Sequence, residues 1–292
     1  MKTIFLIIFF INLYAESDAF WEIGMGSASK IEVGDDLVKL YSGKTLELVS
    51  QIISSKCNYQ KLGEEIESYL KLVNGVYNIL PRNNNKIKII LFPNKKFFDK
   101  YLLKISLPEM ARDACYVPGL NVTLVTLSNI NNQLFLSRET IQHEITHNIN
   151  ANVLGNLALS PWFDEGMACY FQYWDVRKNG KENFTGNWKR AKSGIYGYFP
   201  EEAIRLIKFD KNSIVDIMRK DFKKYHIEEN EVTNYSVSWL LINFLTSSPD
   251  GKKFLELIID DFRKGKNDDT LIMDNAVMER FKLKLVDFIK DK

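Results

Sequence analysis

The sequence has little of two residue types that often reveal the class of a protein. Only three of its 292 residues are cysteine, and only three are histidine. Three cysteines are too few for a disulfide-rich scaffold and leave at least one thiol outside any pair, so stability must come mainly from a hydrophobic core. A bridge between Cys57 and Cys115 is possible, whereas Cys169 is expected to pack inside the core. With 46% hydrophobic residues, the chain can bury one large core or two smaller ones.

The chain also lacks a strong excess of charge. Its 39 basic and 37 acidic residues leave a formal net charge of +2, and the two signs are mixed along most of the sequence. Nucleic acids and anionic membranes are usually bound through concentrated positive charge. The composition therefore predicts no nucleic-acid partner, and it fits a neutral partner or a peptide.

The N-terminus has the layout of a secretory signal. A short basic start is followed by an apolar run at residues 4–13, and polar residues end the run at residues 16–18. Ala15 and Ala19 are small enough for cleavage sites, so we expect residues 1–19 to be a signal peptide. The apolar run is too short to span a bilayer comfortably. We therefore expect a secreted or periplasmic protein without a stable membrane span, and an uncleaved N-terminal anchor is the alternative.

Hydrophobic periodicity predicts a mixed α and β region after the signal. Residues 20–43 form a mixed segment with four glycines, and they are followed by a half-buried strand at residues 45–50. A helix is predicted at residues 61–80 and a second strand at residues 86–92. Two apolar segments joined by a Pro-Gly turn predict a β-hairpin at residues 114–127.

From residue 137 onward, almost every periodic segment is helical. The fold class predicted is therefore α+β, with a mixed N-terminal lobe at residues 20–136, active-site helices at residues 137–175 and a helical C-terminal lobe at residues 176–292. The helical stripes of this last part lie at residues 204–207, 214–218, 237–245, 254–262 and 277–289.

Residues 137–150 read SRETIQHEITHNIN and predict a helix with two distinct faces. Isoleucines at every fourth position form an apolar stripe, and His143 and His147 form a second stripe displaced by about 200°. Two histidines one helical turn apart can both direct a ring nitrogen at a single metal ion. In this H-E-x-x-H pattern Glu144 does not bind the metal, and we expect it to act as a general base toward the attacking water. The alternative is an ordinary helix in which the motif is a coincidence.

Two histidines are too few protein ligands for a catalytic zinc site, so a third ligand is expected downstream. Ser160 and Pro161 are typical of a helix start, and the helix that follows reads WFDEGMA. Glu165 lies in this helix and is the candidate third ligand, with Asp164 as a competitor because either carboxylate can bind zinc. Asp164 could instead orient an imidazole or lie in solvent. Gly166 and Ala168 are small enough to let this helix approach the histidine helix closely.

HEITH followed by WFDEGMA resembles the gluzincin metallopeptidases. Their thermolysin-like catalytic domain combines H-E-x-x-H with a downstream glutamate, which in many bacterial secreted members lies in a W-x-x-E-G-x-A element. The resemblance also extends to the order of elements from residue 45 onward. It implies a zincin-like fold with two lobes flanking an active-site cleft. It further implies one zinc ion held by His143, His147 and Glu165, with Glu144 as the base and a peptide or protein as the substrate.

Two further roles are weighed against this resemblance. Tyr235 opens the apolar helix predicted at residues 235–245 and resembles the tyrosine at the start of the corresponding helix in similar peptidases. It is a candidate oxyanion stabiliser, with a core or capping role as the alternative. His226, in the polar run KKYHIEENE, is the other oxyanion candidate, and a surface position is expected for it instead. The strand at residues 121–127 would hold an extended substrate if it were an edge strand, and it would be a central strand otherwise. No residue is assigned to substrate specificity.

We therefore predict an exported zinc metallopeptidase, with two alternatives. An exported binding protein could keep the zincin scaffold without catalysis, although it would not need Glu144. A helical interaction protein with an accidental HEITH motif would bind no metal.

Overall fold

The structure is a computed structural model of the chain. It describes residues 20–21, 32–53, 58–77, 86–107, 113–130, 133–154, 159–172, 200–210, 212–227, 231–266 and 273–290. The predicted signal peptide at residues 1–19 and Cys57 lie outside these ranges. The chain divides into two compact units, of which the first comprises residues 1–71 and 84–148 and the second comprises residues 72–83 and 149–292.

The described secondary structure is α+β, with most strands before residue 137 and helices after it. The strands are β1 (Phe20–Trp21), β2 (Glu32–Ser42), β3 (Leu46–Ile53), β4 (Ile87–Phe92), β5 (Ala114–Val117), β6 (Val122–Thr126), β7 (Ser128–Ile130) and β8 (Gln133–Ser137). The helices are α1 (Tyr59–Tyr77), α2 (Lys95–Lys104), α3 (Arg138–Leu154), α4 (Pro161–Phe171), α5 (Pro200–Phe209), α6 (Asn212–Met218), α7 (Phe222–Ile227), α8 (Glu231–Ser247), α9 (Pro249–Arg263) and α10 (Asn275–Lys290).

The first unit is built on a five-stranded mixed sheet with strand order β2-β3-β4-β6-β5. The three inner strands β3, β4 and β6 are parallel, and the two edge strands are antiparallel to their neighbours. Strand β4 reads IKIILF and is almost entirely buried, as expected for an inner parallel strand that is covered on both faces. A separate three-stranded antiparallel sheet has the order β1-β8-β7.

The predicted hairpin is confirmed, and its position in the sheet settles the role left open for residues 121–127. Strand β5 pairs with β6 in an antiparallel manner, and β6 also pairs with β4 on its other side. Because both of its sides are paired, β6 is an inner strand and cannot hold a substrate by strand addition. Of the two roles weighed for this segment, the structure shows the central strand, and the sheet edge on this side is β5.

A hydrophobic core of this unit lies where α2 packs on the sheet. Phe92 at the end of β4 contacts Phe98 of α2 edge to face, with 5.7 Å between the ring centroids. Leu102 and Leu124 are buried in the same cluster. Cys115 of β5 also belongs to this cluster, so it lies in the core.

The second unit is helical, and each predicted stripe of the C-terminal part lies within an observed helix. Helix α8 is buried along most of its length, because its residues 234–245 all have little or no exposed surface. Aromatic contacts join its neighbours, including Phe163 of α4 to Phe262 of α9 at 5.2 Å between centroids. Cys169 of α4 is buried in this unit, as predicted.

None of the helices that the structure describes combines the length and the apolar character needed to cross a bilayer.

Candidate metal centre

Helix α3 carries the two histidines and begins at Arg138, directly after β8 ends at Ser137. The predicted apolar stripe is buried against the interior, and His143 and His147 are half-buried on another face. The members of the stripe are Ile141, Ile145 and Ile149. The two-faced helix predicted from the spacing is therefore present.

Polar residues of α3 are buried as well, which the apolar stripe alone did not indicate. Gln142, Thr146 and Asn148 have no exposed surface. Buried polar groups are costly unless they form hydrogen bonds. Asn148 satisfies this requirement in part by donating its side-chain amide to the Thr123 hydroxyl of β6 at 3.4 Å.

Tyr69 of α1 holds the middle of α3 through a buried hydroxyl network. Its oxygen lies 3.0 Å from the Gln142 carbonyl and 2.7 Å from the Thr146 hydroxyl. The Thr146 hydroxyl also donates to the Gln142 carbonyl, at 2.7 Å. Burial raises the pKa of Tyr69 well above its usual value, so the phenol stays protonated and remains a donor. This network anchors the helical turn between the two histidines.

The two imidazoles have the spacing of ligands to one ion. Their Nε2 atoms lie 3.2 Å apart, and the ring centroids are 4.9 Å apart with the planes inclined by 77°. Two nitrogen ligands at ordinary zinc distances and a tetrahedral angle would lie about 3.3 Å apart. His143 and His147 therefore already present their nitrogens as a metal-binding pair.

Glu165 completes the cluster. It lies in α4, whose first residue is Pro161 as predicted, and its side chain is buried, with 5% of the residue exposed. One ligand atom from each of His143, His147 and Glu165 lies within 4.8 Å of the others. The structure thus brings all three predicted ligands together into a possible metal-binding triad. Two imidazoles and one carboxylate are a donor set that suits zinc and leaves a further coordination position open.

Asp164, the competitor for the ligand role, has a different partner. Its Oδ1 accepts a hydrogen bond from the side-chain amide of Asn150 at 2.6 Å. Asn150 lies in the last part of α3 and has no exposed surface. The geometry therefore favours Glu165 as the ligand and gives Asp164 a role in fixing α4 to the end of α3.

Gly166 permits a close helix approach, but to a different helix from the one expected. A methyl group at this position would meet the Ser238 carbonyl oxygen and Ile242 Cγ1, each at 2.8 Å. Both atoms belong to α8, so the expectation that Gly166 faces the histidine helix is wrong. The small residue after Glu165 is required by the packing of α4 on α8.

His226 is placed beside Glu165 and not at the surface, which corrects the sequence-based expectation. Its Nε2 lies 3.4 Å from Glu165 Oε1, with 10% and 7% of the two side chains exposed. Its Nδ1 lies 3.1 Å from the hydroxyl of Tyr235. Tyr235 itself is buried one turn inside α8, which begins at Glu231 and therefore earlier than predicted. A signal that could have drawn attention to His226 is the scarcity of histidine in the chain, since the other two both lie in the metal motif.

Glu144, the predicted base, lies on α3 between the two histidines and is buried, with 8% of the residue exposed. Its catalytic role stays a prediction, as does that of Tyr235. No family model matches the sequence, and a search of curated proteins gives no match.

Proposed function

We propose that this protein is an exported zinc-dependent metallopeptidase. The observation that carries the proposal is the cluster of His143, His147 and Glu165, whose ligand atoms lie within 4.8 Å of one another. Glu165 lies 18 positions after His147 and 22 after His143 in the sequence, and it belongs to a separate helix. A helix with an accidental HEITH motif would have no reason to place a buried carboxylate at this point.

The residues of the chain divide the work of peptide hydrolysis. His143, His147 and Glu165 would hold one zinc ion, which when bound would polarise the peptide carbonyl and lower the pKa of the attacking water. Glu144 would accept a proton from that water and deliver it to the leaving amine. Glu144 would be dispensable for binding the metal, so its presence favours catalysis over the binding-protein alternative.

The zincin-like arrangement of lobes around a cleft, the peptide or protein substrate and export through the segment at residues 1–19 are parts of the same proposal. They rest on the resemblance of HEITH and WFDEGMA to the gluzincin motifs and on the composition of the N-terminus.

The first experiment combines metal analysis of the purified full chain with hydrolysis of a broad peptide library. Wild type should contain stoichiometric zinc and cleave some of the peptides. Glu144→Gln should keep the zinc and lose activity by about 100- to 10,000-fold, the usual contribution of a general base. Glu256→Gln, the same change at an exposed position of α9, is the matched control and should behave as wild type.

The outcomes separate the alternatives. Stoichiometric zinc with no cleavage anywhere in the library would favour the exported binding protein. Absence of bound zinc after reconstitution would support the helical interaction protein. Undiminished zinc in Glu165→Ala would remove Glu165 from the ligand set.

A further inference from the structure

Three buried side chains of the second unit form a continuous series that ends at the candidate metal ligand. The Tyr235 hydroxyl lies 3.1 Å from His226 Nδ1, and His226 Nε2 lies 3.4 Å from Glu165 Oε1. The imidazole thus faces the phenol through Nδ1, at hydrogen-bond distance, and the carboxylate through Nε2, at ion-pair distance. We propose that His226 and Tyr235 are positioning residues that orient the Glu165 carboxylate for metal binding, an inference that rests on the proposed metal site.

The hydrogen-bonding capacity of the three groups determines the direction of the series. An ionised carboxylate can only accept, so the His226 nitrogen that faces Glu165 must carry a hydrogen atom. The phenol of Tyr235 can donate to the other nitrogen, which holds the imidazole in that tautomer. At 3.4 Å the imidazole and the carboxylate are slightly beyond an ordinary N–H···O hydrogen-bond distance and within ion-pair distance.

His226 is held in place by contacts that do not involve the carboxylate. The side chain of Asn234 in α8 donates to the backbone carbonyl of Tyr225 at 2.9 Å, and Lys220 donates to the same asparagine at 3.2 Å. The hydroxyl of Tyr225 lies 2.8 Å from the hydroxyl of Ser238. These bonds attach Tyr225, the residue before His226, to α8 through both its backbone carbonyl and its side-chain hydroxyl. The backbone that carries His226 is therefore fixed independently of Glu165, and the Tyr235 hydroxyl at Nδ1 restrains the ring itself.

Helix α4 is fixed against the same partner. Gly166 lies so close to α8 that an added methyl group would meet its backbone at 2.8 Å. The backbone beside Glu165 consequently has little freedom to shift, and the remaining freedom lies in the side-chain torsions. A contact from His226 to the carboxylate limits those torsions, so less conformational entropy is lost when the ligand binds an ion.

His226 is not a member of the metal-binding cluster and contacts one of its ligands. The metal-binding cluster consists of His143, His147 and Glu165, and His226 contacts the cluster through the carboxylate. Partners of this kind typically change metal affinity by about 10- to 100-fold when they are removed.

The test measures zinc affinity of the full chain by competition with a chromogenic chelator, together with the visible spectrum of the cobalt-substituted protein. His226→Leu should bind zinc about 10- to 100-fold more weakly and change the cobalt spectrum, since the orientation of a ligand changes. His226→Gln should recover most of the affinity, because its amide can still donate to the carboxylate. Tyr235→Phe should give a smaller loss in the same direction.

The matched control is Tyr41→Phe, which removes a tyrosine hydroxyl that hydrogen-bonds Glu67 in the first unit and takes no part in the series of Tyr235, His226 and Glu165. It should lower the unfolding midpoint of the metal-free protein but leave the zinc affinity and the cobalt spectrum unchanged. If His226→Leu fails to fold, Tyr235→Phe decides the question against this control.

The inference is overturned if His226→Leu and Tyr235→Phe bind zinc as tightly as wild type while Glu165→Ala does not. It is equally overturned if Tyr41→Phe weakens binding as much as Tyr235→Phe, because the effect would then be a general loss of stability. A wild-type chain that binds no zinc would instead reject the metal site, and this inference with it.

Discussion

Gly166 offers a test in which local helix preference and tertiary packing predict opposite results. It lies in the interior of α4, where replacing glycine by alanine normally stabilises a helix by about 1 kcal/mol. In this structure the added methyl group would lie 2.8 Å from the Ser238 carbonyl oxygen and from Ile242 Cγ1. One of these contacts is with backbone, which cannot rotate away as a side-chain end can.

The magnitude follows from the balance of these effects. Overpacking of a tight interior contact costs about 1–3 kcal/mol, and a backbone contact belongs in the upper part of that range. After the gain in helix preference is subtracted, Gly166→Ala should lower the free energy of unfolding by about 1–2 kcal/mol. It should also weaken zinc binding, because α4 must move away from α8 and take Glu165 with it.

Gly75→Ala is the matched control. Gly75 lies in α1, and a methyl group there would have no heavy atom within 4 Å. The same substitution should therefore raise the free energy of unfolding by about 0.5–1 kcal/mol. Urea unfolding of the metal-free proteins, followed by circular dichroism, measures both values. A Gly166→Ala protein as stable as wild type or more so, with Gly75→Ala stabilised as expected, would refute the close packing of α4 on α8.

Two further predictions concern the bonds that fix the histidine helix. Tyr69→Phe should destabilise the metal-free protein by about 1 kcal/mol, the net value of one hydrogen bond. The loss is limited to this value because the Thr146 hydroxyl keeps its bond to the Gln142 carbonyl. A double-mutant cycle with Thr146→Val should show coupling between the two positions, and strictly additive effects would contradict the network. Asn150→Ala should lower both the zinc affinity and the stability. The change removes the hydrogen bond that the Asn150 amide donates to Asp164 at 2.6 Å, which joins α4 to the end of α3. Unchanged affinity and stability would show that this bond is not needed.

The metal motif could be recognised from the sequence because its geometry is local. Histidines four positions apart on any regular helix lie on one face, so the pairing of His143 with His147 needed no knowledge of the rest of the fold. Glu165 could be identified for a different reason. Ser160 and Pro161 marked the start of a short helix with two carboxylates, and the resemblance selected Glu165 as the third ligand. The resemblance already favoured Glu165 over Asp164, and the structure adds a physical reason, because Asp164 accepts a hydrogen bond from Asn150.

Strand β2 could not be predicted from periodicity. Its pairing with β3 shifts register between Val33 and Val38 and again between Lys39 and Tyr41. Each irregularity of this kind adds residues to one strand and reverses the faces of those that follow. The alternation of apolar and polar residues is therefore lost, and residues 32–42 read as an irregular segment although they form the longest strand described.

His226 shows a different limit of sequence reasoning. Its neighbours are lysines and glutamates, which are typical of a solvated loop. Its burial depends on Tyr225 and Asn234, which attach α7 to α8 by contacts between side chain and backbone. No short-range pattern encodes such contacts. The inner position of β6 was left open for the same reason, because strand order depends on pairing between distant segments.

The direct junction of β8 and α3 limits how this protein can vary in length. Strand β8 ends at Ser137 and α3 begins at Arg138, so no loop separates the two elements. Adding or removing one residue within the helix between this junction and His143 would rotate both imidazoles by about 100° around the helix axis. Their nitrogens would then face away from the carboxylate, although the H-E-x-x-H spacing itself would be intact. The position at which β8 ends thus sets the angle of the His143 and His147 side chains about the axis of α3.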